Sequence, residues 1–244
     1  MPTLSYIIPA YNESKTLEEI VQKVLEVKLP EGYQKELIIV NDCSKDATLK
    51  IARELESLHP SVKVIDNENN LGKTQSVKKG IMESTGDYVV IQDADLEYDP
   101  KDTEFLLVNL LKNNCEVAYG NRFGVDNGMI YAQNFYGNIF ISLVSSIFTS
   151  YRLKVTIPDM EVCYKMVRGD IIRKIAPTIE STSNFGFEPE ITAKLSRFKI
   201  EDRNLKFIIL PITYIPRTVA EGKKMKAFRD GLKALFEIIK FNLF

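Results

Sequence analysis

Tyr88-Val89-Val90-Ile91-Gln92-Asp93-Ala94-Asp95 is a short apolar run that leads straight into two carboxylates. Its first five residues suit a buried strand, and Asp93 and Asp95 stand two positions apart at the exit. Carboxylates so placed can hold one divalent cation, and such a cation can neutralise a diphosphate while a bond to it breaks. The stretch points to one strand of an α/β sheet and to an enzyme acting on a phosphorylated donor.

The flanking sequence repeats the strand pattern. Runs at 4–9, 36–41, 62–67 and 116–120 are rich in Val and Ile and nearly continuous in apolar character, which suits a sheet covered on both faces. Helix patterns separate them. Residues 16–27 carry Leu17, Ile20, Val21, Val24 and Leu25 on one stripe, and 47–58 follow Ser44 and Asp46 as cap candidates. Val77 and Ile81 mark a third helix after Gly72, and Phe105, Leu106, Val108 and Leu110 a fourth over 102–114. Ligands of such βαβ series gather at the carboxyl ends of the strands. Here those ends are Pro9-Ala10-Tyr11-Asn12-Glu13, Asn41-Asp42, Gln92 with Asp93, Asp95 and Glu97, and Gly120-Asn121-Arg122.

The rhythm changes after Phe123. A loop is expected over 124–131, then a helix over 135–148 that is apolar nearly all round. It reads as a core helix or as one lying shallowly in a bilayer, although it lacks the charged face of an autonomous interfacial helix. A polar island, Pro158-Asp159-Met160-Glu161, precedes short helices, a helix opening at Phe187-Glu188, a late strand over 206–214 and a closing amphipathic helix over 227–241. No linker or internal repeat divides the chain.

Composition removes several function classes. The 244 residues carry a net charge of −1, so no chain-wide electrostatic case exists for nucleic acid. Lysines concentrate late, in Glu221-Gly222-Lys223-Lys224-Met225-Lys226, which suits an anionic substrate, a membrane surface or a solvated helix start. Three scattered cysteines make no disulfide framework and suit the cytosol. With His59 the only histidine, multi-histidine zinc sites and a Ser-His-Asp triad are poorly served, and His59 itself, beside Pro60, reads as structural. Neither a signal-type segment nor a run of about 18 apolar residues is present.

Asn70-Leu71-Gly72-Lys73-Thr74 lacks the earlier glycine of a phosphate loop, because position 67 is Asn. Lys73 at a helix start still suits a site near a diphosphate. Asp93, Asp95 and Glu97 have period-two spacing and offer only oxygen, which suits Mg²⁺ or Mn²⁺. Ordinary loop acids capping a helix would look the same. Arg122 and Arg217 each follow a strand-like stretch and, with Lys224, could receive a second anionic group; either arginine could equally form a surface ion pair.

The ordered set of these segments resembles the family-2 nucleotide-sugar glycosyltransferases of GT-A fold. The closest likeness is to their polyprenol-phosphate, dolichol-phosphate-mannose-synthase-like branch. It is carried by Ile7-Ile8-Pro9-Ala10-Tyr11-Asn12-Glu13, Val40-Asn41-Asp42, Asn70-Leu71-Gly72-Lys73, Gln92-Asp93-Ala94-Asp95 and Gly120-Asn121-Arg122. Pro158-Asp159-Met160-Glu161 with Tyr164-Lys165, Phe185-Gly186-Phe187-Glu188, and Pro216-Arg217 with Glu221-Gly222-Lys223-Lys224 extend it over nearly the whole chain.

The resemblance implies a mostly parallel mixed sheet flanked by helices in one catalytic domain, with residues 1–122 serving the donor and 123–244 the acceptor. It implies that Pro9, Tyr11, Glu13 and Asp42 bind the nucleoside. Asp95, assisted by Asp93, would hold Mg²⁺ or Mn²⁺ on the diphosphate, with Glu97 as third ligand and Lys73 nearby. Arg122, Arg217 and Lys224 match acceptor-phosphate positions. Where the branch often has another arginine, this chain reads Ala132-Gln133-Asn134.

The implied reaction is inverting transfer from a UDP- or GDP-linked sugar to polyprenyl phosphate, in the cytoplasm or peripherally at the cytoplasmic membrane face. A sugar-hydroxyl acceptor is the alternative, with Asp159, Glu161 and Glu188 as candidate proton acceptors. A noncatalytic nucleotide-binding partner of a membrane complex is a further alternative. A sugar-phosphate nucleotidyltransferase is disfavoured, because Pro9-Ala10-Tyr11-Asn12-Glu13 is neither glycine-rich nor basic.

Overall fold

A computed structural model of the chain describes residues 1–125, 132–183, 186–216 and 227–243. The first half alternates β1 (Thr3–Ala10), α1 (Leu17–Glu26), β2 (Gln34–Asn41), α2 (Thr48–Leu58), β3 (Val62–Asp66), α3 (Lys73–Glu83), β4 (Tyr88–Ile91), α4 (Asp102–Lys112) and β5 (Val117–Asn121). The second half adds α5 (Ala132–Leu153), β6 (Lys165–Arg168), α6 (Gly169–Ile175), α7 (Phe187–Arg197) and the β7–β8 hairpin (Lys199–Ile200, Arg203–Asn204). It ends with β9 (Phe207–Pro211) and α8 (Ala227–Leu243).

Seven strands form one sheet in the order β3-β2-β1-β4-β6-β5-β9. Every pairing is parallel except those of β6, which runs antiparallel between β4 and β5. The expected parallel series is present, and its cause is visible in β1. Leu4, Tyr6, Ile7 and Ile8 are wholly buried, so adjacent side chains on opposite faces both enter the core. Leu17, Ile20, Val21 and Val24 bury the predicted stripe of α1.

Two elements were not expected. The four residues of β6 begin with a buried lysine, Lys165, which masks the strand pattern. The β7–β8 turn places Glu201 and Asp202 at φ of 47° and 65°, the left-handed pair a two-residue hairpin needs. The helix expected over 135–148 is longer, and only part of it is core. Ile141, Ser142, Ser145 and Thr149 are buried, whereas Tyr136, Phe140, Leu143, Ile147 and Tyr151 form an exposed stripe. No helix among the described residues is long and apolar enough to cross a membrane.

Helix α3 lies against β1 and β2 at Gly80. A Cβ there would stand 2.5 Å from Ile7 Cγ2 and 3.1 Å from Val40 Cγ2. Gly80→Ala is therefore expected to destabilise the fold by about 1–3 kcal/mol through overpacking, read as a lower melting temperature. The expected cap of α2 is half met. Asp46 Oδ1 accepts the Thr48 N–H at 3.0 Å, but the Ser44 hydroxyl accepts the Asn12 N–H at 3.0 Å instead. His59 closes α2 with its ring 3.4 Å from Gln22 Nε2, just ahead of β3 and away from the strand exits.

Candidate active site

The exits of β1 and β2 are stitched together. Asn12, at φ 54°, turns the chain out of β1, and its Oδ1 accepts the Lys45 N–H at 2.7 Å. The Glu13 N–H donates to Thr48 Oγ1 at 2.9 Å. These bonds leave Pro9, Tyr11 and Glu13 half-buried along the rim.

Asp42, expected at the nucleoside, stands at the exit of β2. It is buried, and its Oδ1 accepts the Leu71 N–H at 2.8 Å and Asn67 Nδ2 at 3.0 Å, while Oδ2 accepts the Gly72 N–H at 2.8 Å. The carboxylate thus holds the loop that launches α3. Gly72 takes φ 84° there, a conformation that favours glycine, and the next residue is Lys73.

Lys73 joins the two halves of the chain. Its ammonium lies 2.8 Å from Asp93 Oδ1 at the exit of β4 and 3.3 Å from Glu188 Oε1 at the start of α7. Burial opposes the charge, but the Asp93 and Glu188 carboxylates outweigh it and hold the lysine pKa well above its ordinary value.

Asp93, Asp95 and Glu97 do not form the expected three-carboxylate group. Leu96 at φ 61° turns the chain and breaks the period-two alignment. Asp95 Oδ1 accepts the Glu97 N–H at 3.2 Å, and the Tyr214 hydroxyl donates to Glu97 Oε2 at 2.6 Å. Among the described residues no group of three or more Asp, Glu, His or Cys could hold an ion. Asp93 and Asp95 remain half-exposed on either side of buried Ala94. This oxygen donor set suits an ion whose shell is completed by donor oxygens and water.

At the exit of β5, Arg122 is buried and forked onto Asp159. Its Nε lies 2.7 Å from Oδ2, Nη2 lies 2.6 Å from Oδ1, and the Arg122 backbone N–H donates to Oδ2 at 3.0 Å. The guanidinium also lies over the Tyr214 ring at 5.1 Å. Arg122, expected at an acceptor phosphate, and Asp159, a candidate proton acceptor, thus form a buried ion pair. Arg217 and Lys224 lie outside the described residues, as does Phe185.

Glu161 and Glu188 complete the interior of the site. Glu161 Oε1 and Glu188 Oε2 are buried without a hydrogen-bond partner among the described residues. Burial, and next the charge of Glu188, push the Glu161 pKa up to about 8. Sequence reasoning assigned no role to Lys165 or to the aromatic wall of the site. Tyr98 stacks between Tyr164 and Tyr214 at 5.0 and 5.2 Å, and Tyr164 donates to Gln92 at 2.7 Å. The run of tyrosines at 98, 164 and 214 is the one signal the sequence carries, and it needs the sheet order to be interpretable.

A seven-stranded mixed sheet with a carboxylate pair at the exit of its central β4 is a GT-A fold. Glucosyl-3-phosphoglycerate synthase from Mycobacterium tuberculosis, solved with Mn²⁺, UDP and glucosyl-3-phosphoglycerate, superposes with a TM-score of 0.69 at 15% identity, over 99% of this chain and 80% of that one. Staphylococcus aureus TarS, solved with UDP-GlcNAc, gives 0.59 at 16% identity over 100% and 68%. The chain belongs to glycosyl transferase family 2, whose model matches residues 5–176. It is 28% identical over 241 residues to a dolichol-phosphate mannosyltransferase of Pyrococcus furiosus, covering 98% of this chain and 64% of that protein's length. It is 26% identical over 250 residues to a dolichyl-phosphate β-glucosyltransferase of Dictyostelium discoideum, covering 98% and 73%.

Proposed function

We propose that this chain is an inverting glycosyltransferase that moves the sugar of a UDP- or GDP-linked donor to an acceptor hydroxyl. The observation that carries the acceptor half is Glu161, a carboxyl with a buried oxygen that has no hydrogen-bond partner among the described residues and a pKa of about 8, suited to receive a proton once it ionises as pH rises through about 8. On the donor half, Pro9, Tyr11 and Glu13 line the nucleoside site, and Lys73 at the N-terminus of α3 faces the diphosphate. Asp93 and Asp95 would hold Mg²⁺ or Mn²⁺, which when bound offsets charge on the departing diphosphate. The Mn²⁺ and UDP of the mycobacterial synthase support that assignment. The acceptor oxygen attacks the anomeric carbon, the bond to the diphosphate breaks with its electron pair, and the hydroxyl proton passes to Glu161. Residues 1–122 serve the donor and 123–244 the acceptor.

A second acceptor, polyprenyl phosphate, is favoured by the two dolichyl-phosphate transferases that match across 98% of this chain. Such a phosphate is largely ionised at neutral pH and needs no base. Arg217 and Lys224 would then be its cations, and the exposed stripe of α5 would meet the cytoplasmic face of a membrane.

A screen of UDP- and GDP-sugars against soluble hydroxyl acceptors and polyprenyl phosphate, with mass detection, separates the two. Hydroxyl products are expected. Glu161→Gln is expected to lower their formation by about 100-fold or more without lowering the melting temperature, and wild-type kcat/KM should climb as pH rises through about 8. Conversion of polyprenyl phosphate alone, unaffected by Glu161→Gln, would overturn the hydroxyl assignment. No transfer above a metal-free control would favour a noncatalytic nucleotide-binding role.

A further inference from the structure

Lys165 is a wholly buried lysine in the middle of the sheet, paired in register with Tyr119 of β5. Its ammonium donates to the carbonyl of Met160 at 2.8 Å and to that of Val162, the two residues flanking Glu161. The Tyr119 ring lies 4.9 Å away. A buried ammonium is costly unless carbonyls and carboxylates surround it. Lys165 has both: burial lowers its pKa, and Glu188 of α7, Glu161, Asp159 and the Cys163 thiol act in the opposite direction without fully offsetting it. Methionine would fill the same space without the charge, so a purely space-filling role does not account for a lysine here. We propose that Lys165 is a positioning residue, pinning the turn that carries Glu161 and supplying the positive charge that keeps the Glu161 proton removable.

The groups facing Glu161 are consistent with that role. Glu188 from α7 and Asp159 from the preceding loop are negative and hinder its ionisation, while Lys165 of β6 and Arg122 at the end of β5 favour it. Arg122 is already forked onto Asp159, whereas among the described residues Lys165 donates to backbone carbonyls and not to a carboxylate.

The catalytic consequence rests on Glu161 as proton acceptor, but the electrostatic one does not, so the test separates them. The Glu161 carboxyl is followed by ¹³C NMR titration in the full chain, alongside the pH profile of kcat/KM. Lys165→Met is expected to raise the Glu161 midpoint by about one unit or more, and Lys165→Arg to leave it near the wild-type value. Lys165→Gln, whose amide still caps a carbonyl without the charge, should raise it as Lys165→Met does. In wild-type protein the Lys165 Nζ and Glu161 carboxyl signals should share inflections. Independent titration there, or an unmoved midpoint in a folded Lys165→Met or Lys165→Gln chain, would overturn the proposal. A midpoint that moves while the pH–rate profile stays still would uphold Lys165 and remove Glu161 from the chemistry.

Discussion

Asp95→Ala is expected to lower kcat/KM by about 1,000-fold or more, the scale of losing a main electrostatic stabiliser of the leaving group, while the protein stays folded. The two halves of the expectation have separate causes. Asp95 stands where β4 ends, half-exposed, beside the Asp93 that Lys73 already engages. The pair at this exit is placed for an ion on the donor diphosphate, and Asp95→Ala removes one of its two carboxylates. The hydrogen bond of Asp95 to the Glu97 N–H is long, at 3.2 Å, and the loss of that bond should cost about 0.5–1 kcal/mol. Chelation of the wild-type enzyme should reproduce the loss, and added Mn²⁺ should restore the wild type but not the variant. Near-wild-type turnover by a folded Asp95→Ala protein would sink the metal assignment.

Asp159→Asn is expected to be the most destabilising of the site substitutions, by about 3–5 kcal/mol, because it strands one member of a buried ion pair. Asp159 is wholly buried and Arg122 nearly so, and three N–H groups of Arg122 converge on one carboxylate. Burial works against the Arg122 charge, and Asp159 outweighs it, raising the guanidinium pKa. An amide removes that compensation and turns an N–H donor toward another donor. For a chain of this size the loss corresponds to a fall of roughly 10 °C in melting temperature. The double variant Arg122→Met, Asp159→Asn should recover part of it, since no lone charge is left. A fall of under about 3 °C in the single variant would show that the pair is not holding the fold.

Much of this was legible in the sequence for a physical reason. Strands β1, β2, β4 and β5 are buried on both faces and the edge strand β3 on one, so their Val/Ile runs announce them, and the exits of such strands are where ligands gather. Asp93 and Asp95 were found that way. Strand β6 was hidden because Lys165, a residue type read as surface, opens a four-residue strand in the centre of the sheet. The task of Asp42 was hidden because its partners are backbone N–H groups 29 and 30 residues away, which no side-chain pattern encodes. Arg122 and Asp159 were each recognised as candidates, but their pairing spans 37 residues and appears only once the exit of β5 and the loop between α5 and β6 are brought together. For α5 the helix was legible and the division between its faces was not, since Ser142, Ser145 and Thr149 are buried while Tyr136, Phe140, Leu143, Ile147 and Tyr151 are exposed, the reverse of ordinary patterning.

The place of β6 also orders the chain's own biosynthesis. Strands β4 and β5 follow one another in sequence, yet they do not pair, because the slot between them waits for residues 165–168. As the polypeptide leaves the ribosome, β4 has β1 on one side and an unfilled row of backbone donors and acceptors on the other. That open edge carries the strand leading to Asp93 and Asp95, and it closes only after more than 40 further residues beyond β5 have emerged. The first half of the chain thus cannot close its sheet alone: the gap between β4 and β5 is sealed by the strand that Lys165 opens.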